Sequence, residues 1–207
     1  MAERVFSMVR ELDLGPMVQV LNQTWRLLAK GQPVPIERVA SALGVSREET
    51  SVILRQFGAE LDGDGKLVGM GLSLTPTRHR VSVAGTEVPL YTWCVPDAIA
   101  LAATLGTNVR IESPDPVTGE VVRLTVTPEG VEEVEPKNAV VSFLIPRLEQ
   151  LQDLRGSVCH YQSLFTSDET AREWFSEGSK EVALLTPSEA LELTRLVLAE
   201  AIPTALQ

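Results

Sequence analysis

A chain of 207 residues, 44% hydrophobic and 22% charged, can bury one substantial core, or one core with a small appended subdomain, and is too apolar for wholesale disorder. Its 28 acidic residues outnumber 18 lysines and arginines, and the resulting charge of -10 repels phosphate backbones, which argues against nucleic acid as a partner. The longest apolar runs, such as AIALAA, fall far short of the roughly 20 residues that cross a bilayer, and MAERVFSMVRELDLG lacks the basic-then-apolar order of an export signal, so no membrane partner and a cytoplasmic location are expected.

The first elements are helical. Val18, Leu21, Trp25 and Leu28 recur at helical spacing between Met17 and Gly31. PIERVASALG places Ile36, Val39, Ala40 and Leu43 on one face of a second helix, and SREE opens a third through a Ser46/Glu49 capping box, ending near Gly58. A turn at Asp62–Gly65 and a strand follow. Three helices and a hairpin resemble a winged-helix unit over residues 1–75. That segment holds 8 basic and 9 acidic residues, and its third helix opens on Glu48 and Glu49, so a packed helical cover fits better than a DNA-binding unit. The DGDG stretch has Ser73, not glutamate, at the twelfth position of a calcium loop, which leaves a hairpin turn.

Past Thr75 the pattern turns to strands. Arg80–Val83 alternates, and Val88–Trp93 runs extended into Cys94. Asn108–Glu112 and Glu120–Val126 read as hairpin arms around SPDPVTG. Ala139–Ile145 and Cys159–Phe165 read as strands, and a Thr166/Glu169 capping box restarts a helix. VALL is a short strand before a helix capped by Thr186, with Pro187 in its first turn and Glu189 completing the box. The expected class is α+β: the N-terminal unit over 1–75, and over 76–207 a core of mixed or antiparallel sheet with flanking helices.

YTWCVPDAIALAATLG carries one of only two cysteines. Helical periodicity begins just after Pro96, which puts Cys94 at or just before the cap, where unpaired N–H groups and the positive dipole end favour a thiolate. Asp97 lies in the first turn, close enough to exchange a proton with that sulfur. A small buried cysteine and a dipole-matched aspartate account for the same residues without chemistry. Cys159 has the same two readings. A cysteine hydrolase needs a histidine base, and of His79 and His160 the latter neighbours Cys159 in an expected strand, where adjacent side chains point to opposite faces. Two thiols cannot make a structural zinc site, and in a reducing compartment they stay unbridged. Two soft thiolates and one acid suit a soft, linearly coordinated metal.

LYTWCVPDAIALAATLG, VTGEVVRLTV, AVVSFLIP, SVCHYQSLF, REWF and PSEALEL, in this order, resemble the organomercurial (alkylmercury) lyases from about Pro16 to Ala199. The specific part is W-C-x-x-D with a second cysteine 65 residues further on. The resemblance implies a fold of a helical N-terminal unit on antiparallel sheets, with residues 76–207 as catalytic core. It implies cleavage of a carbon–mercury bond by protonolysis to a hydrocarbon and Hg(II). Cys94, Asp97 and Cys159 would be the catalytic trio and the mercury ligands, and no cofactor is implied. Mercury enters as substrate and leaves as product, passing to small thiols or a mercuric reductase. Trp93, Tyr91 and Phe165 are candidates to line a pocket for the organic group, or to pack in the core. Where some relatives carry further cysteines, this chain has His160 and Asp115. Two other readings stay open on the same thiols: a non-catalytic carrier of soft ions such as mercury or copper, and a metal-sensing winged-helix regulator.

Overall fold

In the computed structural model, residues 15–144, 154–175 and 182–200 are described. Helix α1 (Gly15–Leu28) buries Val18, Val20, Trp25 and Leu28. Helix α2 (Ile36–Leu43) ends on Gly44 in the left-handed conformation, and α3 (Arg47–Gln56) starts on the expected box, with Ser46 and Glu49 exchanging hydrogen bonds. The chain then enters β1 (Glu60–Leu61), β2 (Leu67–Met70), β3 (Leu72–Ser73), β4 (His79–Val83) and β5 (Leu90–Thr92). Helix α4 (Val95–Leu105) leads to β6 (Val109–Pro114), β7 (Val121–Val126), β8 (Val131–Glu135) and β9 (Val140–Leu144). A short α5 (Leu154–Ser157), a 3-10 turn (Cys159–Tyr161), β10 (Leu164–Phe165), α6 (Asp168–Phe175), β11 (Val182–Leu185) and α7 (Pro187–Glu200) complete the described chain.

Eight strands form one antiparallel sheet in the order β1-β2-β3-β5-β4-β6-β7-β8, and a second sheet has the order β10-β9-β11. On the large sheet, Val81, Val83, Leu90, Val109, Ile111, Val122, Leu124 and Val126 alternate onto the buried face. Helix α4 packs there, flanked by α1 and α7. Its Ala98, Ile99, Leu101 and Ala102 are fully buried, so this helix is the centre of the core and not an amphipathic surface helix. The class is α+β, as expected.

The winged-helix likeness goes no further than three helices and a hairpin. The hairpin β1–β2 is the end of the large sheet, because the chain reverses at Gly71 (φ 73°) into β3, which pairs with β5. A side chain at Gly71 would meet the Trp25 ring at 3.0 Å, and the Trp25 indole donates to the Met70 carbonyl at 2.7 Å. One apolar cluster accordingly runs from Trp25, Leu28 and Leu54 through α4 to Ile111 and Leu124.

Three local expectations change. Cys159–Phe165 is not a continuous strand: its first three residues make a 3-10 turn, and only Leu164 and Phe165 pair with β9. The capping box after β10 sits one residue later, between Ser167 and Thr170, because the Thr166 N–H and hydroxyl both donate to the buried Asp115 carboxylate, at 2.7 and 2.8 Å. Strand β8, whose VEEVE lacks an apolar alternation, was not expected; it pairs antiparallel with β7. Ile145 and the end of the last helix beyond residue 200 lie outside the described residues.

Ile99 has no solvent exposure and belongs to α4, the helix on which the sheet, α1 and α7 converge. Ile99→Ala should therefore cost about 2–5 kcal/mol in urea denaturation. A loss under about 1 kcal/mol would show that α4 is not the element the core is built around.

A candidate dithiol–carboxylate site at the start of helix α4

Strand β5 delivers the chain to Cys94, which is the N-cap of α4 with extended backbone angles (φ −146°, ψ 172°). Pro96 falls in the first turn, as its fixed φ favours, and Asp97 follows it. The bend between strand and helix is pinned from several directions. The Thr92 hydroxyl donates to the Cys94 carbonyl at 2.8 Å, the Thr77 hydroxyl to the Thr92 carbonyl at 2.6 Å, and the Trp93 N–H to the Gly71 carbonyl at 2.8 Å.

The second thiol arrives on the 3-10 turn, closed by Tyr161 N–H to Val158 and Gln162 N–H to Cys159, at 3.0 and 3.1 Å. The two segments touch through the backbone. The Val95 N–H, one of the orphan donors of a helix start, gives its hydrogen bond to the Gln162 carbonyl at 3.2 Å. As a result one sulfur from each cysteine and a carboxylate oxygen of Asp97 all lie within 4.8 Å of one another. Among the described residues no other group of three or more His, Cys, Asp or Glu side chains could hold one ion.

Both cysteines are free thiols and buried, Cys94 at 2% exposure and Cys159 at 9%, and Asp97 is half-buried. Burial outweighs the helix dipole at Cys94. Removal from water, then the hydrogen bond with Cys159 and the negative charge of Asp97, push its thiol well above the ordinary range. Asp97 is pushed up to about 6 by burial, against hydrogen bonds with Cys94 that pull it down. The resting pair at neutral pH is thus a thiol facing a carboxylate that is readily protonated.

Around this centre Trp93 is buried, with the Arg155 guanidinium 5.4 Å above its ring, a cation–π contact. Arg155 also pairs with Glu60 of β1, and Glu60 accepts from the buried Ser73 hydroxyl at 2.8 Å. Tyr91 is half-buried on β5, on the sheet face opposite Leu90 and Thr92. Phe165 is fully buried against Phe175, ring centroids 5.9 Å apart.

The histidines stand outside the cluster. His79 is buried and hydrogen-bonded through Nδ1 to Ser113 at 2.8 Å, and burial lowers its pKa to about 3, so it is neutral. His160 is exposed and packs edge-on to Tyr161, with Trp174 beyond. Asp115 is a structural acceptor: besides Thr166 it takes the N–H groups of Val117 and Thr118, at 2.8 and 3.2 Å, and these bonds hold its carboxyl below the usual range although burial opposes them. Sequence reasoning missed Arg155, Glu60, Ser142 and Gln162 near the two thiol segments; nothing in their spacing marks them.

Two thiols and a carboxylate within reach of one atom, carried on an α+β scaffold, are a donor set that could hold a soft metal ion. The alkylmercury lyase family model matches residues 72–199. The alkylmercury lyases of Staphylococcus epidermidis and Bacillus cereus are 39% and 37% identical over 171 and 175 residues, which is 82% and 83% of this chain and 77% of each relative. A solved structure described as the mercury-bound form of MerB2 shares the fold, with a TM-score of 0.79 at 23% identity over 95% of this chain and 98% of that one. The chain belongs to the alkylmercury lyase family, enzymes that cleave the carbon–mercury bond.

Folding raises the Asp97 pKa from 3.8 to about 6, so the native chain binds this proton more tightly than the unfolded chain. The stabilisation from that proton is complete below the unfolded value and is lost as pH rises through about 6. Compared with Asp97→Asn, the wild-type chain should lose stability between about pH 4 and pH 6 in urea titrations. A difference that stays constant across this window would contradict the raised pKa.

Proposed function

We propose that the chain releases a hydrocarbon from an organomercurial by protonolysis, with Cys94 and Cys159 as the mercury-binding thiols and Asp97 as proton carrier. The observation that carries this reading is the gathering of three donor atoms within 4.8 Å of one another. A single thiolate on R–Hg⁺ gives an inert R–Hg–S adduct, because carbon is barely basic. A second sulfur adds electron density to mercury, weakens the Hg–C bond and makes the carbon carbanion-like.

The proton balance follows from the pairing of Asp97 with Cys94. Coordination by mercury deprotonates the Cys94 thiol outright, as bound metals do to thiols, and the hydrogen-bonded Asp97 carboxylate takes that proton. Protonated Asp97 then delivers it to the carbon. For a substrate carried as a thiol adduct, R–Hg–SR′ and two cysteine thiols become R–H, R′SH and Hg(II) held by two sulfurs. A carboxyl with a pKa near 6 is suited to both halves of this exchange, being able to accept and to give a proton near neutral pH. Positioning supplies the rest, since the acid is already beside the bond it must protonate.

Trp93, buried and next to Cys94 in the chain, is the best-placed of the candidates for the organic-group pocket, ahead of Tyr91 on β5 and Phe165 in the core. No step of this chemistry calls for a resident cofactor. Of the N-terminal unit through 75, the three described helices serve as a cover for the catalytic part over 76–207 while its strands extend the large sheet, and the site works in a reducing compartment, the cytoplasm, where both thiols stay free. No described helix is long and apolar enough to cross a membrane. The mercuric product then passes to small thiols or a mercuric reductase.

Headspace analysis with methylmercury and excess thiol tests the reading. Wild-type protein should release methane, and in heavy water singly deuterated methane, while Cys94→Ser, Cys159→Ser and Asp97→Ala should each lower release by at least about 10²-fold, the usual share of general acid catalysis or more. Mercury uptake without methane would make the chain a carrier, and full turnover by any variant would remove that residue from the set.

The same scheme fixes the pH dependence. Asp97 must start as a carboxylate to receive the Cys94 proton, so kcat/KM for methane release should rise as pH passes upward through about 6. A flat profile from about pH 5 to 7, or one that falls, would assign the proton to another group.

A further inference from the structure

The turn that bears Cys159 stands where the sequence pattern favours a strand, and two buried side chains account for the difference. β10 pairs with β9 in regular register, Leu164 opposite Val141 and Phe165 opposite Val140. One step further along, the Ser142 N–H donates to the Ser163 carbonyl at 3.0 Å. There the ladder stops. The Ser142 hydroxyl accepts from the Ser163 N–H at 2.9 Å and donates to the Tyr161 carbonyl at 2.7 Å, occupying the backbone groups that further pairing would use. Gln162 lies between these two anchors. Its side-chain amide reaches past the turn and donates to the Leu144 carbonyl at 3.0 Å, and its own carbonyl receives the Val95 N–H at the start of α4. Ser142 is fully buried and Gln162 is 5% exposed.

We propose that Ser142 and Gln162 are positioning residues that clasp the Cys159 turn to β9 and thereby set the distance between the two sulfurs. Continued strand pairing would carry Cys159 along the sheet edge. The clasp lifts it into a turn, and the Gln162 carbonyl then docks that turn on the helix start that holds Cys94. The hydrogen bonds of both side chains go to backbone groups of the turn and of β9. Their effect reaches the chemistry through the geometry of one sulfur, to which a two-thiol reaction is sensitive. The consequence for turnover rests on the function proposed above; the consequence for the distance between the sulfurs does not.

The test uses the full chain with Gln162→Met, which keeps length and volume but removes the amide donor, and Ser142→Ala. Thr50→Val on α3 is the control, losing one part-buried side-chain-to-backbone bond (Thr50 hydroxyl to Ser46 carbonyl, 2.8 Å). Phenylarsine oxide reports on both sulfurs at once: arsenic forms two As–S bonds, and its oxygen leaves as water with the two thiol protons, with no change of oxidation state. Alkylation by iodoacetamide reports on each thiol singly.

Both clasp variants should bind the arsenical about 10- to 100-fold more weakly and lose a similar factor in kcat, as about 1 Å of misplacement does, with KM within about threefold and each thiol still alkylated. Thr50→Val should keep wild-type affinity and kcat at a comparable loss in Tm. The inference is overturned if the clasp variants retain arsenical affinity and kcat, if Thr50→Val loses as much, or if both clasp variants fail to fold, since the role would then be structural. A wild-type chain that releases no hydrocarbon would defeat the proposed function, yet the arsenical measurement would still decide on the clasp.

Discussion

One backbone hydrogen bond joins the two halves of the site: the N–H of Val95, at the start of helix α4, meets the carbonyl of Gln162 on the Cys159 turn at 3.2 Å. A helix start must find partners for its first N–H groups. Here the most buried of the described helices finds one of them on the segment that carries the other thiol. Two cysteines 65 residues apart are brought together by a requirement of the backbone, and the side chains inherit the proximity. Because α4 is wedged between the large sheet, α1 and α7, that helix start has little freedom to drift.

Burial of the same helix start also decides the protonation states. The N-terminal dipole favours anions at Cys94 and Asp97, an effect worth about 0.3–1 kcal/mol at exposed positions. Removal from water works the other way and prevails at both groups, leaving Cys94 a thiol and lifting Asp97 to about 6. A pre-formed thiolate pair would be a strong trap for any soft ion. In the proposed reaction, a thiol beside a readily protonated carboxylate instead keeps a proton available at the place where mercury would displace it, which is what a site that turns over needs and a site that only binds does not.

Much of this was legible in the sequence wherever the signal is local. Ser46/Glu49 and Thr186/Glu189 form the boxes their spacing predicts, and Pro96 correctly puts Cys94 at a cap and Asp97 in the first turn. Legibility ended where a distant residue takes over a local bond. Thr166 does not form its box with Glu169 because Asp115, 51 residues earlier, takes the Thr166 N–H that the box would give to Glu169, and its hydroxyl as well. The Cys159 segment has the alternation of a strand, but Ser142 uses its hydroxyl to end the ladder. Strand β8 has no apolar alternation to read, since both its faces are largely exposed and its place comes from pairing with β7. The balance between dipole and desolvation at Asp97 likewise depends on what packs around it, which no spacing records.

X-ray absorption at the mercury edge, on wild-type and variant protein loaded with Hg(II) and freed of small thiols, shows directly whether both thiols hold one metal atom. The account predicts mercury bound by two sulfurs, falling to one in either Cys94→Ser or Cys159→Ser. A single sulfur ligand in the wild-type protein, or two that persist in both variants, would contradict it.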